Sequence, residues 1–106
     1  MKSITPLFLN RIGYSDVHPY EVIETRTDKK LMIRAMNAER DPTWKPEMVP
    51  GGFSAICVNQ NTQRWIITSD DTAEIIPARL GKKGWKSDHG MHSPSETARN
   101  FYDYNF

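Results

Sequence analysis

Apolar and polar side chains alternate along much of the chain, which is the period of β-strands and not of helices. In residues 19–26, for example, Tyr20 and Val22 would face the same side of a sheet. Residues 31–37 are also rich in apolar side chains, and the polar segment 27–30 between the two runs has the composition of a hairpin turn. These segments therefore predict an antiparallel hairpin.

The same reasoning predicts further strands and one long loop. A second hairpin is expected to join residues 53–58 to 63–69. Further strands are expected at 72–80 and at Trp85, joined by a tight turn at Gly81-Lys82-Lys83-Gly84. Residues 38–50 show no period and contain three prolines, which remove backbone donors and bias their neighbours towards extended geometry. This segment is therefore predicted to be an irregular loop.

One helix signal stands near the end of the chain. Ser93-Pro94-Ser95-Glu96 has the capping-box pattern, with proline at the first helical position, and predicts a short helix to about Tyr102. The aromatic tail 101–106 is expected to pack on the sheet. The predicted fold is all-β or β-rich α+β: a small antiparallel SH3-like barrel or curved sheet of five to six strands with a short C-terminal helix.

Composition limits the class of protein. The chain has 106 residues, of which 38% are hydrophobic, and its three Trp, four Tyr and four Phe can anchor one core, so a single domain over 1–106 is expected. No apolar run approaches the roughly 20 residues that span a bilayer, and the start of the chain is too weakly apolar for a signal peptide. A lone cysteine, Cys57, excludes an internal disulfide and fits a reducing cytoplasm.

Charge is balanced overall but clustered in one segment. The net charge is +1, which gives no global field for nucleic acid or membrane. Arg79, Lys82, Lys83 and Lys86 nevertheless fall within eight residues that contain no acid. Two interpretations stay open: the cluster binds a phosphate, or it is a solvated hairpin tip that discourages edge pairing.

Enzyme chemistry finds little support in the sequence. There is no phosphate-binding loop, dinucleotide fingerprint or nucleophile elbow. Cys57 lies in an apolar run, where a thiol is usually a small buried hydrophobe. His18, His89 and His92 do not have the spacing of a known zinc site and are interpreted as surface residues. A protein without catalytic activity, metal or cofactor is expected.

A small-molecule site is the better-supported hypothesis. Such a site needs flat faces for a base and forked donors for phosphate oxygens. Arg64 and Trp65 are adjacent on one strand and point to opposite faces, so Trp65 is interpreted as core and Arg64 as a candidate ligand contact. Packing remains the competing interpretation for the tryptophans. The candidate binding residues are Arg40, Trp44, Asn59, Gln63, Arg64, Arg79, Lys82, Lys83 and Trp85.

Several phrases of the sequence resemble a group of small accessory proteins carried by tailed bacteriophages and prophages. They are residues 13–24 (GYSDVHPYEVIE), 38–47 (AERDPTWKPE), 51–65 (GGFSAICVNQNTQRW), 81–85 (GKKGW) and the terminal FYDYNF. The resemblance covers nearly the whole chain and brings no activity or functional residues with it. It implies a context in which small accessory proteins disarm host immunity, either by binding a defence enzyme or by sequestering a cyclic nucleotide signal.

Two main hypotheses follow from the residues and this context. In the first, a non-enzymatic anti-defence protein captures a cyclic or other signalling nucleotide in the host cell cytoplasm, with Arg64 and Arg79 on phosphates and Trp44 or Trp85 on a base. A homo-oligomer is expected, because a chain this small gains pocket depth between subunits. In the second, an anti-CRISPR-like module covers a host defence nuclease with its proline loop and aromatic tail. A small virion component and a nucleic-acid-binding protein stay open, and no membrane partner is expected.

Overall fold

Ten β-strands form the framework of the protein. The computed structural model describes residues 6–51 and 54–105, and within these two segments the 3-10 turn Gln60–Thr62 is the only helix. None of the described chain forms a helix with the length and apolar character needed to cross a membrane. The strands are β1 (Phe8–Ile12), β2 (Val17–His18), β3 (Tyr20–Thr27), β4 (Lys30–Arg40), β5 (Met48–Gly51), β6 (Ser54–Cys57), β7 (Trp65–Ser69), β8 (Ile75–Gly81), β9 (Gly84–Ser87) and β10 (Gly90–Ser95).

Six of these strands close into an antiparallel barrel. Their order around the ring is β10, β9, β8, β4, β3 and β1, and β1 then pairs with β10. The closing pairs run from Phe8 opposite Ser95 to Ile12 opposite Met91. Closure leaves the ring without a free strand edge. The predicted all-β class and small antiparallel barrel are therefore confirmed.

Two successive hairpins of the barrel use the same kind of turn. Residues 82–83 join β8 to β9, and residues 88–89 join β9 to β10. Each turn is followed by a glycine at positive φ, Gly84 at +113° and Gly90 at +127°, a conformation that side chains with a Cβ rarely adopt. The turn at 81–84 was predicted from its glycines, whereas the matching turn before β10 was not.

Apolar side chains fill the barrel because they alternate along its strands. On β4, for example, Leu31 and Ile33 are 2% and 0% exposed, while their neighbours point outwards. Burying an aliphatic side chain of this size contributes about 1.5–3 kcal/mol. The core consists of Leu9, Tyr20, Leu31, Ile33, Ile76, Ala78 and Trp85.

A buried histidine joins three strands inside this core. His92, 5% exposed, lies on β10 with Nδ1 2.9 Å from the carbonyl oxygen of Leu9 on β1 and Nε2 2.7 Å from Oγ of Ser87 on β9. Because a carbonyl only accepts, Nδ1 carries the proton and the Ser87 hydroxyl donates to Nε2. The ring also packs edge-on against Tyr20, 4.9 Å between centroids. The expectation that all three histidines lie on the surface is wrong for His92, which stays in the core because both ring nitrogens have partners.

β4 is long enough to take part in two sheets. Residues 30–34 pair with β8 in the barrel, whereas residues 36–40 extend beyond it and pair with β7. β5 and β6 pair only with each other. We call β5, β6, β7, the Gln60–Thr62 turn and the tail 101–105 the distal half. Together with the barrel it gives the chain an elongated shape, 51 × 28 × 27 Å.

The prediction of a second hairpin between residues 53–58 and 63–69 is wrong. β6 pairs with β5 and not with β7, because the chain between them turns through Gln60–Thr62 and the Asn59 amide is bonded to residues 45–47. Of the predicted strand 53–58, Phe53 lies outside the described residues. The predicted irregular loop 38–50 contains the end of β4 and all of β5. The prediction also missed β1, β2 and β10.

The predicted C-terminal helix is not formed. Ser93, Pro94 and Ser95 belong to β10, where they pair with β1 to close the barrel. The Ser95 hydroxyl accepts from the N–H of Thr97, two residues on, which is a local turn and not a helix cap. Barrel closure therefore overrides the capping-box pattern.

Side-chain amides hold the chain that follows β10. Asn10, 2% exposed, donates from Nδ2 to the Thr97 carbonyl at 3.1 Å and accepts from the Arg99 N–H at 3.0 Å. Further on, the Gln63 amide bonds both the N–H and the carbonyl of Tyr102, and the Asn105 amide does the same for Cys57. Each of these amides takes the place of a neighbouring strand.

The tail packs on the sheet, as predicted. Phe101 forms a backbone bridge with Val17, and Tyr104 lies 5.7 Å from Trp44, between ring centroids. Phe106 lies outside the described residues.

The Asn10 amide should contribute to stability out of proportion to its size. Asn10→Ala leaves the Thr97 carbonyl and the Arg99 N–H without their protein partner, and we expect the free energy of unfolding to fall by about 1–3 kcal/mol. The measurement is equilibrium unfolding in urea. Asn37→Ala, on the exposed face of β4, is the matched control and should change stability by less than about 0.5 kcal/mol. Equal effects of the two changes would contradict this role.

Stability should fall as the pH drops below about 6.5, the ordinary pKa of histidine in an unfolded chain. Burial, followed by the charge of Arg11, lowers the pKa of His18; burial also lowers that of His92, with a smaller contribution from Arg11. The unfolded chain therefore binds protons first, and the stability held above pH 6.5 is lost as the pH falls towards the folded pKa values. Urea unfolding at pH 8, 6.5 and 5 measures this, and His92→Gln should flatten the profile. A profile unchanged by that substitution would exclude His92 as the cause.

Candidate functional site

A row of three cations crosses the outside of the barrel. Arg79 on β8 pairs directly with Lys30 on β4 and with Lys86 on β9. Leu31 and Ala78, next to them in sequence, are buried, so the alternation of the strands turns the three cations outwards. Directly opposed side chains have Cβ atoms about 5 Å apart. The row therefore places three positive charges on three adjacent strands.

Two more lysines extend the row to the rim of the barrel. Lys82 and Lys83 occupy the turn between β8 and β9. We call the set Lys30, Arg79, Lys82, Lys83 and Lys86 the basic face. No carboxylate of residues 6–51 or 54–105 forms an ion pair with any of these five side chains.

Arg34, another cation on β4, differs from the basic face because it is paired with carboxylates. Arg34 lies four residues after Lys30, on the same face of β4, with its guanidinium 2.7 Å from Glu21 and 3.4 Å from Asp71. The Glu21 carboxylate also accepts from Ser69 at 2.7 Å. Like charges placed directly opposite one another destabilise a sheet, and Arg34 is compensated while the basic face is not. The basic face therefore keeps three opposed cations without a carboxylate to offset their repulsion among the described residues.

Shallow clefts run along this face. One, of about 330 Å³, is lined by Arg79 and Lys86 together with Pro77, Ser87 and the acidic Asp88. The second, of about 360 Å³, lies between the β8–β9 turn and Met91 on β10. Both are open, so a ligand here would keep part of its surface in water.

A larger cavity, which is as open to solvent as these two clefts, lies at the adjoining mouth of the barrel, and we call it the mouth cavity. Its volume is about 810 Å³, and its apolar wall consists of Pro6, Leu7, Leu80, Trp85 and Pro94. Its polar rim is formed by Asp28, Ser95, Glu96 and Thr97. Leu80 also lines the second cleft of the basic face, so the cavity and the cleft meet at this residue.

The sequence-predicted site residues fall into two groups at opposite ends of β4. Arg79, Lys82, Lys83 and Trp85 are at the barrel mouth; Arg40, Trp44, Asn59, Gln63 and Arg64 are in or beside the distal half. Lys30 pairs with Arg79, and Arg40 pairs with Trp65. Ten strand residues separate Lys30 from Arg40, a distance of about 33 Å. Arg64 and Arg79 therefore do not share one site within a chain.

Three residues of the distal group are occupied by structural contacts. Trp44, 7% exposed, donates from Nε1 to Oγ1 of Thr62 at 3.1 Å. The Asn59 amide accepts from the Glu47 N–H at 2.7 Å and donates to the Lys45 carbonyl at 2.9 Å. The Gln63 amide accepts from Trp65 Nε1 at 2.6 Å, in addition to its bonds with the tail. These side chains hold the distal half together, and their role as ligand contacts stays a prediction.

Arg40 and Arg64 are exposed and stay predicted contacts. A cleft of about 240 Å³ lies beside them, lined by Ala38 and Trp65 among others, but neither arginine is part of its lining. Trp85 is 7% exposed, so only a small part of its ring reaches the mouth cavity. The analysis of the sequence missed Lys30 as a site residue, as well as Asp28 and Glu96. The pairing of β4 with β8 brings Lys30 into the site, and no local pattern in the sequence indicates that pairing.

One arrangement resembles the relay of a serine hydrolase. The Ser87 hydroxyl, His92 and the Leu9 carbonyl form a chain with distances of 2.7 and 2.9 Å. Ser87 lines the first cleft of the basic face but is only 8% exposed, and its oxygen also accepts from the His89 N–H at 3.1 Å. Cys57 is 3% exposed, with Sγ 3.3 Å from the Asn59 amide oxygen. Both groups are therefore largely buried and hydrogen-bonded within the protein.

A search of the described residues finds no group of three or more His, Cys, Asp and Glu side chains that could hold a metal ion. No protein-family model, curated protein or solved structure matches the chain. What the protein binds is therefore inferred from its own geometry.

Proposed function

We propose that the protein binds and sequesters a nucleotide-derived small molecule, with the phosphates held on the basic face. One observation carries this proposal: Arg79 stands directly opposite Lys30 on one side and Lys86 on the other, and none of the three forms an ion pair with a described carboxylate. A bound phosphate would relieve their mutual repulsion. The cost of keeping three like charges in register is then explained by the ligand.

The composition of the row suits phosphate oxygens. An arginine guanidinium offers a planar fork of donors that can bind two oxygens at once, while lysine ammonium groups act as point charges. Arg79 is the middle member of the row, so its fork has an ammonium group on each side. Lys82 and Lys83 add charge at the rim for a ligand with more than one phosphate.

Sequestration without chemistry is the activity we propose. The nucleophiles closest to a catalytic arrangement, Ser87 and Cys57, are only 8% and 3% exposed and are hydrogen-bonded within the protein. In the context of the resemblance to phage accessory proteins, we propose that the ligand is a signalling nucleotide of a host defence system, removed from the host cytoplasm. A homo-oligomer stays a prediction.

The ligand should depend on the basic face and not on the distal arginine. We expect protein purified from host cells with a defence system induced, then denatured, to release a phosphorylated nucleotide in stoichiometric amount, as measured by mass spectrometry. Arg79→Ala should remove it and should weaken pyrophosphate binding in titration calorimetry at least tenfold, since a hydrogen bond to a charged group is worth about 1.5–3 kcal/mol.

Arg64→Ala is the matched control, because Arg64 is an exposed arginine at the other end of the molecule. It should leave both measurements unchanged. If the wild-type protein releases no phosphorylated compound and binds no pyrophosphate, the proposal is wrong. If Arg64→Ala has the larger effect, the site lies in the distal half.

A second candidate function is the inhibition of a host defence nuclease by direct binding. It is favoured by the β5–β6 hairpin, which pairs with no other described strand, and by three exposed apolar residues. Met48 and Ile56 in the hairpin are 46% and 43% exposed, and Val58 just after it is 55% exposed. An isolated two-stranded hairpin is marginally stable alone, and a partner would add to it. Ile56→Ser with Val58→Ser should then abolish recovery of a nuclease from host lysate while leaving pyrophosphate binding intact. Recovery of the same nuclease with the variant would exclude this surface.

A further inference from the structure

The mouth cavity is adjacent to the basic face, and phosphate binding alone does not require it. Its lining is largely apolar, with Leu80 exposed by 40% and Leu7 by 61%, and it includes Trp85. A cavity of about 810 Å³ is within the size range of small-molecule sites. Apolar side chains of this kind can pack against the faces of an aromatic ring.

The rim of the mouth cavity is rich in hydrogen-bond acceptors. Asp28 and Glu96 contribute two carboxylates, which accept hydrogen bonds and donate none when ionised. Neither carboxylate has a hydrogen-bond or ion-pair partner among the described residues. A ring that enters this mouth is therefore favoured when its edge presents N–H donors.

We infer that the barrel mouth holds the base of a guanine nucleotide whose phosphates lie on the basic face, an inference that rests on the proposed function. Guanine presents two adjacent donors, its ring N1–H and its exocyclic amino group, and these match the two oxygens of one carboxylate. Uracil presents one N–H between two carbonyl oxygens, which would face the carboxylate with like charge. Adenine presents its amino group beside an unprotonated ring nitrogen.

The path between the base and the phosphates passes over the rim of the barrel. Leu80 faces the mouth and Arg79 faces outwards, because consecutive strand residues point to opposite sides of the sheet. The β8–β9 turn lies between these two surfaces, so the phosphates meet Lys82 and Lys83 first. The turn lysines are thus the contacts that connect the base site to the row of cations.

The experiment is titration calorimetry with GTP, ITP, UTP, guanosine and pyrophosphate. We expect GTP to bind at least tenfold more tightly than UTP, with ITP between them because it lacks the exocyclic amino group. The double change Asp28→Asn with Glu96→Gln should reduce the GTP-to-UTP affinity ratio to about one. Removing two negative charges strengthens the binding of every anion alike. The readout is therefore the ratio of the GTP and UTP affinities and not either affinity alone.

Glu39→Gln is the matched control, since Glu39 is an exposed carboxylate on the distal part of β4. It should leave the ratio unchanged, and thermal unfolding of all variants checks that they are folded. Equal affinities for GTP and UTP, or a ratio unaffected by the double change, would overturn the inference and leave phosphate binding on the basic face intact. Guanosine binding without pyrophosphate binding would support the base site and overturn the proposed function. If none of the five probes binds, both the proposed function and the inference about the base site are overturned.

Discussion

Closure of the barrel by β1 against β10 is the contact on which the rest of the structure depends. These strands lie more than 75 residues apart in the chain, and five residue pairs join them. The hydrogen bond from His92 to the Leu9 carbonyl ties the same two strands from inside, and Ser87 connects this pair to β9. An imidazole with both nitrogens bonded is tolerated in the core, whereas a single lost partner would leave a buried polar group. The mouth cavity exists because this ring is closed.

A second constraint is the length of β4, which determines which side chains of the barrel and of the distal half can lie near one another. The strand belongs to the barrel at Lys30 and to the distal half at Arg40. It therefore separates Arg64 from Arg79, which the sequence analysis expected to bind the same ligand. The distal half has too few strands to supply a hydrogen-bond partner for each of its backbone groups. The amides of Asn59, Gln63 and Asn105 supply the missing backbone partners, and this use consumes groups that would otherwise be available to a ligand.

The sequence predicts the elements that depend on local chemistry and fails where distant pairing decides. Alternation in residues 19–26 and the turns at 27–30 and 81–84 correspond to β3, β4, β8 and β9. The capping box at residues 93–96 is a valid local signal, but pairing with β1 offers those backbone groups more than a helix cap does. The cation cluster was visible in Arg79, Lys82 and Lys83. The addition of Lys30 required the register of β4 against β8, and that register has no signature within either strand.

The relation between the basic face and the mouth follows from the same alternation that builds the core. In any strand of the ring, one set of side chains stabilises the interior and the other set is free to carry function. On β8 the inward set includes Ala78 and the outward set includes Arg79, so the row of cations costs the core nothing in packing. The cost of the row is the electrostatic repulsion between its cations. This repulsion stays uncompensated, whereas Arg34, on the same face of β4 as Lys30, is paired with Glu21. Local rules are most often broken at functional sites. Among the described residues these cations have no carboxylate partner, and they adjoin the mouth cavity at Leu80, which is why we propose one site that uses both.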